Sequence, residues 1–272
     1  MARERRAVRR NLAQIASRNG PDSVRSTFHS FYNFSKFMVS YTEVAPYGDG
    51  SIEARIAGGV GGRDLVQQAL SGHRGLIVLG MHLGQWDLAL ISLARLGHPI
   101  TAVMRREDEE AARFAAAARA AAGIRVAHAG EDPRLMVRLL GTLRRNEIVA
   151  LQGDRPYGQR SVSVRLFGRE TRIAAGPLEL ARAAGSPILP SALVMEGHRR
   201  YRMVFGDLLR VDSVCTPARA YEESADRVAR ALESIISCYP NQWFNFYDFW
   251  DAPDAGGEMH PARRGNEGRG HA

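Results

Sequence analysis

The sequence predicts an α/β fold, with a mostly parallel central sheet covered by helices and preceded by N-terminal helices. From residue 74 onward, short apolar runs alternate with longer segments of helical character. Strands that are buried on both faces read as continuous apolar runs, and their alternation with helices is typical of a parallel sheet. Apolar residues make up 45% of the 272 residues, which is enough for a chain of this length to bury a core.

Residues 1–47 predict two helices that pack on the main domain. The first helix covers residues 3–18 and has a basic face, because residues 1–30 hold seven arginines against two acidic residues, a local charge of +5. The second begins after the cluster Pro21-Asp22-Ser23, whose residue types favour a helix start, and runs to about Glu43.

An α/β domain is predicted over residues 48–254, and residues 255–272, which are rich in Gly, Arg and His, predict a disordered tail. The predicted strands are the apolar runs at residues 75–80, 100–104, 124–127, 148–152, 162–167, 188–195 and 200–206. The predicted helices lie at residues 63–71, 86–96, 108–122, 132–145, 176–184 and 220–237, the fifth opened by a Gly-Pro pair.

The net charge of the chain indicates which classes of partner it can bind. Lys and Arg number 37 against 29 Asp and Glu, a net charge of +8, and this surplus permits attraction to anionic lipid, nucleic acid or phosphorylated substrates. A nucleic-acid-binding surface would interleave its arginines with aromatic residues. The arginine-rich start of the chain holds no aromatic residue, so we expect no nucleic-acid partner.

Neither a membrane span nor a secretion signal is predicted. No apolar run approaches the roughly 18 residues that a spanning helix needs, and the basic N-terminus lacks the apolar centre of a signal peptide. Cys215 and Cys238 are the two cysteines, too few for a disulfide framework or a zinc site. We therefore expect a cytoplasmic protein whose basic N-terminal helix holds it peripherally on the inner, anionic face of the cell membrane.

The segment after the first strand carries the clearest chemical signal. His82 and Asp87 lie across a predicted strand-to-helix turn, at the strand end where open α/β sheets bind ligands, and Gly84 permits a tight turn between them. A carboxylate beside His82 would fix its tautomer and leave the opposite nitrogen to take a proton from a hydroxyl. The alternative is a structural histidine beside a helix-capping aspartate. No phosphate loop, nucleophile elbow, zinc helix or other metal-ligand spacing is present.

Residues 82–87 (HLGQWD) resemble the H-x-x-x-x-D block of glycerolipid-type acyltransferases. More closely, they resemble the H-L-G-N-W-E form of the bacterial lipid A biosynthesis (lauroyl/myristoyl) acyltransferase family. Further blocks that resemble this family follow its order, at residues 10–12 (RNL), 102–105 (AVMR), 151–155 (LQGDR), 162–177 and 239–243 (YPNQW). The resemblance spans about residues 9–250 and implies a glycerolipid-acyltransferase-like sheet.

The resemblance implies an O-acyltransferase. His82 would be the general base on an acceptor hydroxyl, and Asp87 would orient and support it. The donor would be a thioester of acyl carrier protein or coenzyme A, with no tightly bound cofactor and no metal, and the acceptor would be a lipid or glycolipid. Two alternatives remain open from the residues alone: an acyl hydrolase that uses water as acceptor, and a non-catalytic lipid-binding relative.

Six further residues are predicted to bind substrate. Arg105, at a strand end, can pair with an anionic head group through a bidentate contact, or else lies on the surface beside the acidic run at residues 107–110. Asp154 and Arg155 either pair with each other or organise the pocket wall. The resemblance implies a turn at residues 168–171 near the acceptor, which adds Gly168, Arg169 and Thr171.

The aromatic residues are concentrated in two places. Fourteen of the 21 lie in residues 28–47 and 239–250, on either side of the predicted catalytic unit. We expect the two clusters to pack near each other and to close one side of the sheet, either as core or along the path of the acyl chain.

Overall fold

A computed structural model describes residues 2–16, 23–44, 53–57, 61–105, 110–156, 161–211 and 217–251. The tail predicted at residues 255–272 lies outside these ranges. The helices are α1 (Ala2–Ile15), α2 (Ser23–Val44), α3 (Arg63–Leu70), α4 (Trp86–Ala94), α5 (Glu110–Ala121), α6 (Leu135–Arg144), α7 (Gly176–Ala184) and α8 (Pro217–Cys238). The strands are β1 (Leu76–Gly80), β2 (Ile100–Met104), β3 (Arg125–His128), β4 (Ile148–Gln152), β5 (Ser161–Leu166), β6 (Arg169–Ala174), β7 (Ile188–Gly197) and β8 (Arg200–Phe205). Short 3-10 helices cover Glu53–Arg55 and Pro240–Gln242.

The main sheet has six strands in the order β3-β2-β4-β1-β7-β8. Its strands are parallel except β8, which runs antiparallel to β7. Leu76 and Val78 of β1 face one apolar cluster, and Ile77 and Leu79 face the other, so helices cover both sides of the sheet. The predicted α/β fold with N-terminal helices is confirmed.

The register of two central strands determines which residues meet at the carboxyl edge of the sheet. β1 and β4 are neighbours, and Gly80 at the end of β1 pairs with Gln152 at the end of β4. Both strands end at this edge. His82 and Asp154, each two residues beyond the paired Gly80 and Gln152, therefore lie side by side.

The predicted turn at residues 168–171 is wrong. Phe167 and Gly168 alone form the turn, with φ of 52° and 79°, and β6 begins directly afterwards. A two-residue hairpin turn needs positive φ at both central positions, which glycine supplies at low cost. Residues 169–174 are polar because one face of this two-stranded hairpin is exposed, while Thr171 and Ile173 point into the core.

The N-terminal helices pack against the C-terminal aromatic segment. The ring of Phe34 on α2 lies 5.3 Å from that of Phe244 and 4.7 Å from that of Phe246, and Phe37 lies 5.6 Å from Phe244. Phe37 also contacts Trp86 at 4.2 Å, which joins both clusters to the start of α4. The predicted association of the two aromatic clusters is confirmed for these residues, whereas Tyr47 lies outside the described ranges.

Candidate functional site

The loop between β1 and α4 carries His82 and is fixed from two sides. The amide of Gly84 donates to the carbonyl of Gln242 at 3.0 Å, and the amide of Gln85 donates to the carbonyl of Leu193 at 2.7 Å. Gly84 has φ of +66°, and a Cβ at this position would lie 2.1 Å from the oxygen of Leu193. The loop therefore needs glycine here for both its conformation and its close contact with β7.

The imidazole of His82 is held by Asp154. Nδ1 lies 2.8 Å from Oδ1 of Asp154, while Oδ2 accepts hydrogen bonds from the amide of His82 at 3.1 Å and from Nε1 of Trp243 at 2.9 Å. An ionised carboxylate only accepts hydrogen bonds, so the proton of the neutral imidazole sits on Nδ1 and the lone pair on Nε2. No other described residue bonds Nε2, and the side chain of His82 is 20% exposed.

The electrostatics keep this pair in the state that a base requires. Burial acts to raise the pKa of Asp154, but the His82 imidazole and the Arg155 guanidinium outweigh it and bring that pKa to about 2. Burial lowers the pKa of His82, and Arg155 adds to this effect while Asp154 opposes it. At neutral pH Asp154 is therefore ionised and His82 uncharged.

Arg155, beside Asp154, is bound to the C-terminal segment. Its Nε donates to Oδ1 of Asn245 at 2.7 Å, a terminal nitrogen donates to the carbonyl of Phe244, and the guanidinium lies 5.6 Å from the ring centroid of Tyr247. Arg155 is buried, and burial lowers its pKa and raises that of Tyr247. Arg155 thus joins the loop after β4 to this segment.

The bacterial lipid A biosynthesis acyltransferase family matches residues 1–251 of the chain. The chain belongs to this family. Among its relatives, the phosphatidylinositol mannoside acyltransferase of Mycobacterium tuberculosis (strain ATCC 25618 / H37Rv) is 30% identical over 196 residues, covering 70% of this chain and 59% of the relative. The protein of that name from Mycolicibacterium smegmatis is 30% identical over 193 residues, covering 70% and 61%. The match thus spans about three fifths of these relatives' length.

In this member of the lipid A acyltransferase family, the carboxylate on Nδ1 of His82 is that of Asp154 and not, as expected, that of Asp87. Asp87, in the first turn of α4, is buried, and its Oδ1 accepts from Arg119 of α5 at 2.6 Å. The register of β1 and β4 places Asp154 beside His82, while α4 directs Asp87 toward α5. A buried guanidinium needs a counter-charge, so the Asp87–Arg119 pair joins α4 to α5.

Of the other predicted binding residues, Arg105 leaves the main sheet at this edge, whereas Gly168, Arg169 and Thr171 belong to the β5–β6 hairpin. Arg105 follows β2 and is exposed, and Arg169 pairs with Asp251 at 2.7 Å on the surface. Thr171 is buried on β6, next to the Phe167–Gly168 turn in sequence. In the described part of the chain no three His, Cys, Asp or Glu side chains are arranged to hold a metal ion.

Two residues of the site lay in recognised blocks but were given no role from sequence. Trp243 binds Asp154, and Gln242 pairs with the backbone of Met195 on β7, accepting from its amide and donating to its carbonyl, both at 2.8 Å. Both residues belong to the YPNQW block, which resembles a block of the family. The resemblance points to this segment but does not predict which residues it contacts.

Proposed function

We propose that this protein transfers a fatty acyl group from a thioester to a hydroxyl of a lipid or glycolipid. The observation that supports this most directly is the imidazole of His82, whose Nδ1 is bound by a buried carboxylate while Nε2 has no partner among the described residues. Membership of an acyltransferase family supports the same reaction class.

In the proposed reaction Nε2 of His82 takes the proton of the acceptor hydroxyl as its oxygen attacks the thioester carbonyl. The C–S bond then breaks, the new ester forms, and the thiolate takes the proton from Nε2. Asp154 stabilises the imidazolium that exists between these two proton transfers, since its charge lies 2.8 Å from Nδ1. General base catalysis of this kind contributes about 10²- to 10⁴-fold in rate.

The donor is proposed to be acyl carrier protein or coenzyme A carrying the acyl chain, and the acceptor a membrane glycolipid. The relatives' names point to mannosylated phosphatidylinositol as the first acceptor to test.

The experiment is to incubate the protein with a glycolipid extract that contains phosphatidylinositol mannosides and with a donor whose acyl group is radiolabelled. The donor is either acyl-loaded acyl carrier protein or acyl coenzyme A. Mass spectrometry of a new acylated lipid identifies the acceptor, and the two donors tested separately identify the carrier. Release of free fatty acid with no acylated lipid would contradict acyl transfer and indicate a hydrolase.

The pH dependence of kcat/KM follows from the lowered pKa of His82. The base must be uncharged, so activity should be constant at neutral pH and fall tenfold per unit below an apparent pKa that is lower than the ordinary 6.5. Asp154, with a pKa of about 2, adds no second loss between pH 4.5 and 8. Initial rates across this range check the prediction, and an acid limb centred above 6.5 would contradict it.

We also propose that α1 and α2 bind an anionic membrane surface. The arginines of α1 at positions 3, 5, 6 and 9 are exposed. On α2, Phe28, Tyr32 and Val39 share one stripe and are 68%, 52% and 59% exposed. Nζ of Lys36 lies 5.3 Å from the Tyr32 ring, so a cation accompanies the apolar stripe. None of the described helices is both long and apolar enough to cross a membrane.

Val39→Glu should weaken binding to anionic vesicles by about tenfold, because it places a negative charge in the stripe and removes apolar area. Flotation with vesicles containing phosphatidylglycerol measures this partition. Val137→Glu is the matched control, since Val137 on α6 is an equally apolar side chain with 69% exposure. Equal losses for the two variants, or equal binding to uncharged vesicles, would contradict the proposed surface.

A further inference from the structure

Residues 243–249, here called the aromatic strap, form hydrogen bonds with both Asp154 and His82. Nε1 of Trp243 donates to Asp154, and the amide of Phe244 donates to the carbonyl of His82 at 2.8 Å. Arg155 binds the strap through Asn245 and the carbonyl of Phe244. A displacement of the strap would therefore move the hydrogen bonds that hold Asp154.

On its other side the strap is bound by one buried side chain of α1. Nδ2 of Asn11 donates to the carbonyls of Asn245 at 3.1 Å and Tyr247 at 2.8 Å, and Oδ1 accepts from the amide of Phe249 at 3.1 Å. Asn11 is only 4% exposed. Asparagine matches this set, because its short side chain supplies two N–H donors and one acceptor oxygen.

A second contact between α1 and the strap is at the surface. Arg10 pairs with Asp248 through two bonds of 2.6 and 2.5 Å, but its side chain is 57% exposed. Exposed ion pairs contribute little to stability because water and salt screen them. Of these two contacts from α1, the buried bonds of Asn11 therefore restrain the strap more than the exposed ion pair does.

We propose that Asn11 is a positioning residue, which keeps the strap in register and thereby holds Asp154 and His82 in the geometry that proton transfer requires. This inference rests on the proposed acyl transfer by His82. It connects α1 to the reaction, because the hydrogen bonds of Asn11 go to the strap and not to the imidazole or its carboxylate.

The test is Asn11→Asp, which replaces the donor Nδ2 by an oxygen that faces two carbonyls. The matched control is Asn146→Asp at the opposite edge of the sheet. There Nδ2 donates to the carbonyl of Leu70 at 3.1 Å and Oδ1 accepts from the amide of Gly75 at 3.0 Å. Both variants lose side-chain bonds to the backbone, two from the buried Asn11 and one from the half-buried Asn146, so thermal unfolding of each measures the loss of stability separately from kcat. Asn11→Ser, a milder change, replaces Asn11→Asp if that variant does not fold.

The readouts are thermal unfolding, kcat, KM, and the pH dependence of kcat/KM. We expect Asn11→Asp to lower kcat by about tenfold to hundredfold with a smaller change in KM, since small displacements of a catalytic group have such effects. The acid limb should move upward toward 6.5, because water admitted at the strap relieves the burial of His82, with Asp154 and Arg155 the charged groups that face it. Asn146→Asp should change kcat by less than about threefold.

Comparable unfolding temperatures with unchanged kcat and an unmoved acid limb in Asn11→Asp would overturn the positioning role. One further readout separates this inference from the proposed function. His82→Ala that retains transfer would refute His82 as the base, whereas the NMR signal of the proton on Nδ1 reports the geometry of the imidazole directly. That signal should broaden or shift in Asn11→Asp and stay in place in Asn146→Asp. Its persistence in both variants would refute the structural part of the inference.

Discussion

Asp154→Asn is expected to lower kcat by about 10²- to 10⁴-fold without unfolding the protein. The carboxylate fixes the proton of His82 on Nδ1 and compensates the imidazolium that forms when Nε2 takes a proton. An asparagine of the same shape is uncharged, and its amide can turn a donor toward Nδ1. The imidazole would then carry its proton on Nε2, where a base needs a lone pair.

Comparing Asp87→Asn with Asp154→Asn distinguishes the roles of these two carboxylates. Asp87 pairs with Arg119 between α4 and α5, so its loss should lower the free energy of unfolding, by leaving a buried guanidinium without its counter-charge, more than it lowers kcat. Steady-state kinetics of both variants with the identified donor, beside urea denaturation, measure this contrast. A larger loss of kcat in Asp87→Asn than in Asp154→Asn would show that the H-x-x-x-x-D aspartate supports the base. His82→Ala sets the lower limit of the assay.

Gly84→Ala is expected to destabilise the protein by about 3 kcal/mol or more. The backbone at Gly84 has φ of +66°, which strains any residue with a Cβ, and the added methyl would lie 2.1 Å from the carbonyl oxygen of Leu193. Relief requires the loop between β1 and α4 to move away from β7. The hydrogen bond from the amide of Gln85 to the carbonyl of Leu193 would then lengthen, and His82 would move with the loop.

The matched control for this substitution is Gly123→Ala. Gly123 has φ of +72° but no heavy atom within 4 Å of an added Cβ, so only the backbone strain of about 1–2 kcal/mol applies. Chemical denaturation of both variants gives the two free energies of unfolding. Similar losses would mean that the contact with Leu193 is readily relieved and that the loop is not fixed as the structure indicates.

Much of the fold was predictable because its strands are covered on both faces. Residues 100–104 and 148–152 are apolar runs between helical segments, and they form β2 and β4 with the predicted bounds. β6 was missed because Arg169, Glu170 and Arg172 give it a polar sequence. Its inward face holds only two core positions, which is too few for a recognisable apolar pattern. The strand is identified only by its pairing with β5 in the structure.

The candidate site was only half predictable, for a reason of topology. The sequence places His82 at a strand end and Asp154 at another, and each was identified as a candidate residue. That β1 and β4 are neighbours, with Gly80 opposite Gln152, follows from the strand order, which local periodicity does not encode. Sequence proximity favoured Asp87, five residues from the histidine, whereas spatial proximity belongs to Asp154, 72 residues away.

The hydrogen bonds of the aromatic strap determine when in folding the surroundings of His82 are completed. They join residues 89 apart between Trp243 and Asp154, and 238 apart between Asn11 and Phe249. Contacts between such distant residues form late in folding, because long loops must close before they are made. During synthesis the strap leaves the ribosome after every strand of the main sheet. The carboxylate of Asp154 therefore gains its bond from Trp243 only after every strand of the sheet has been synthesised.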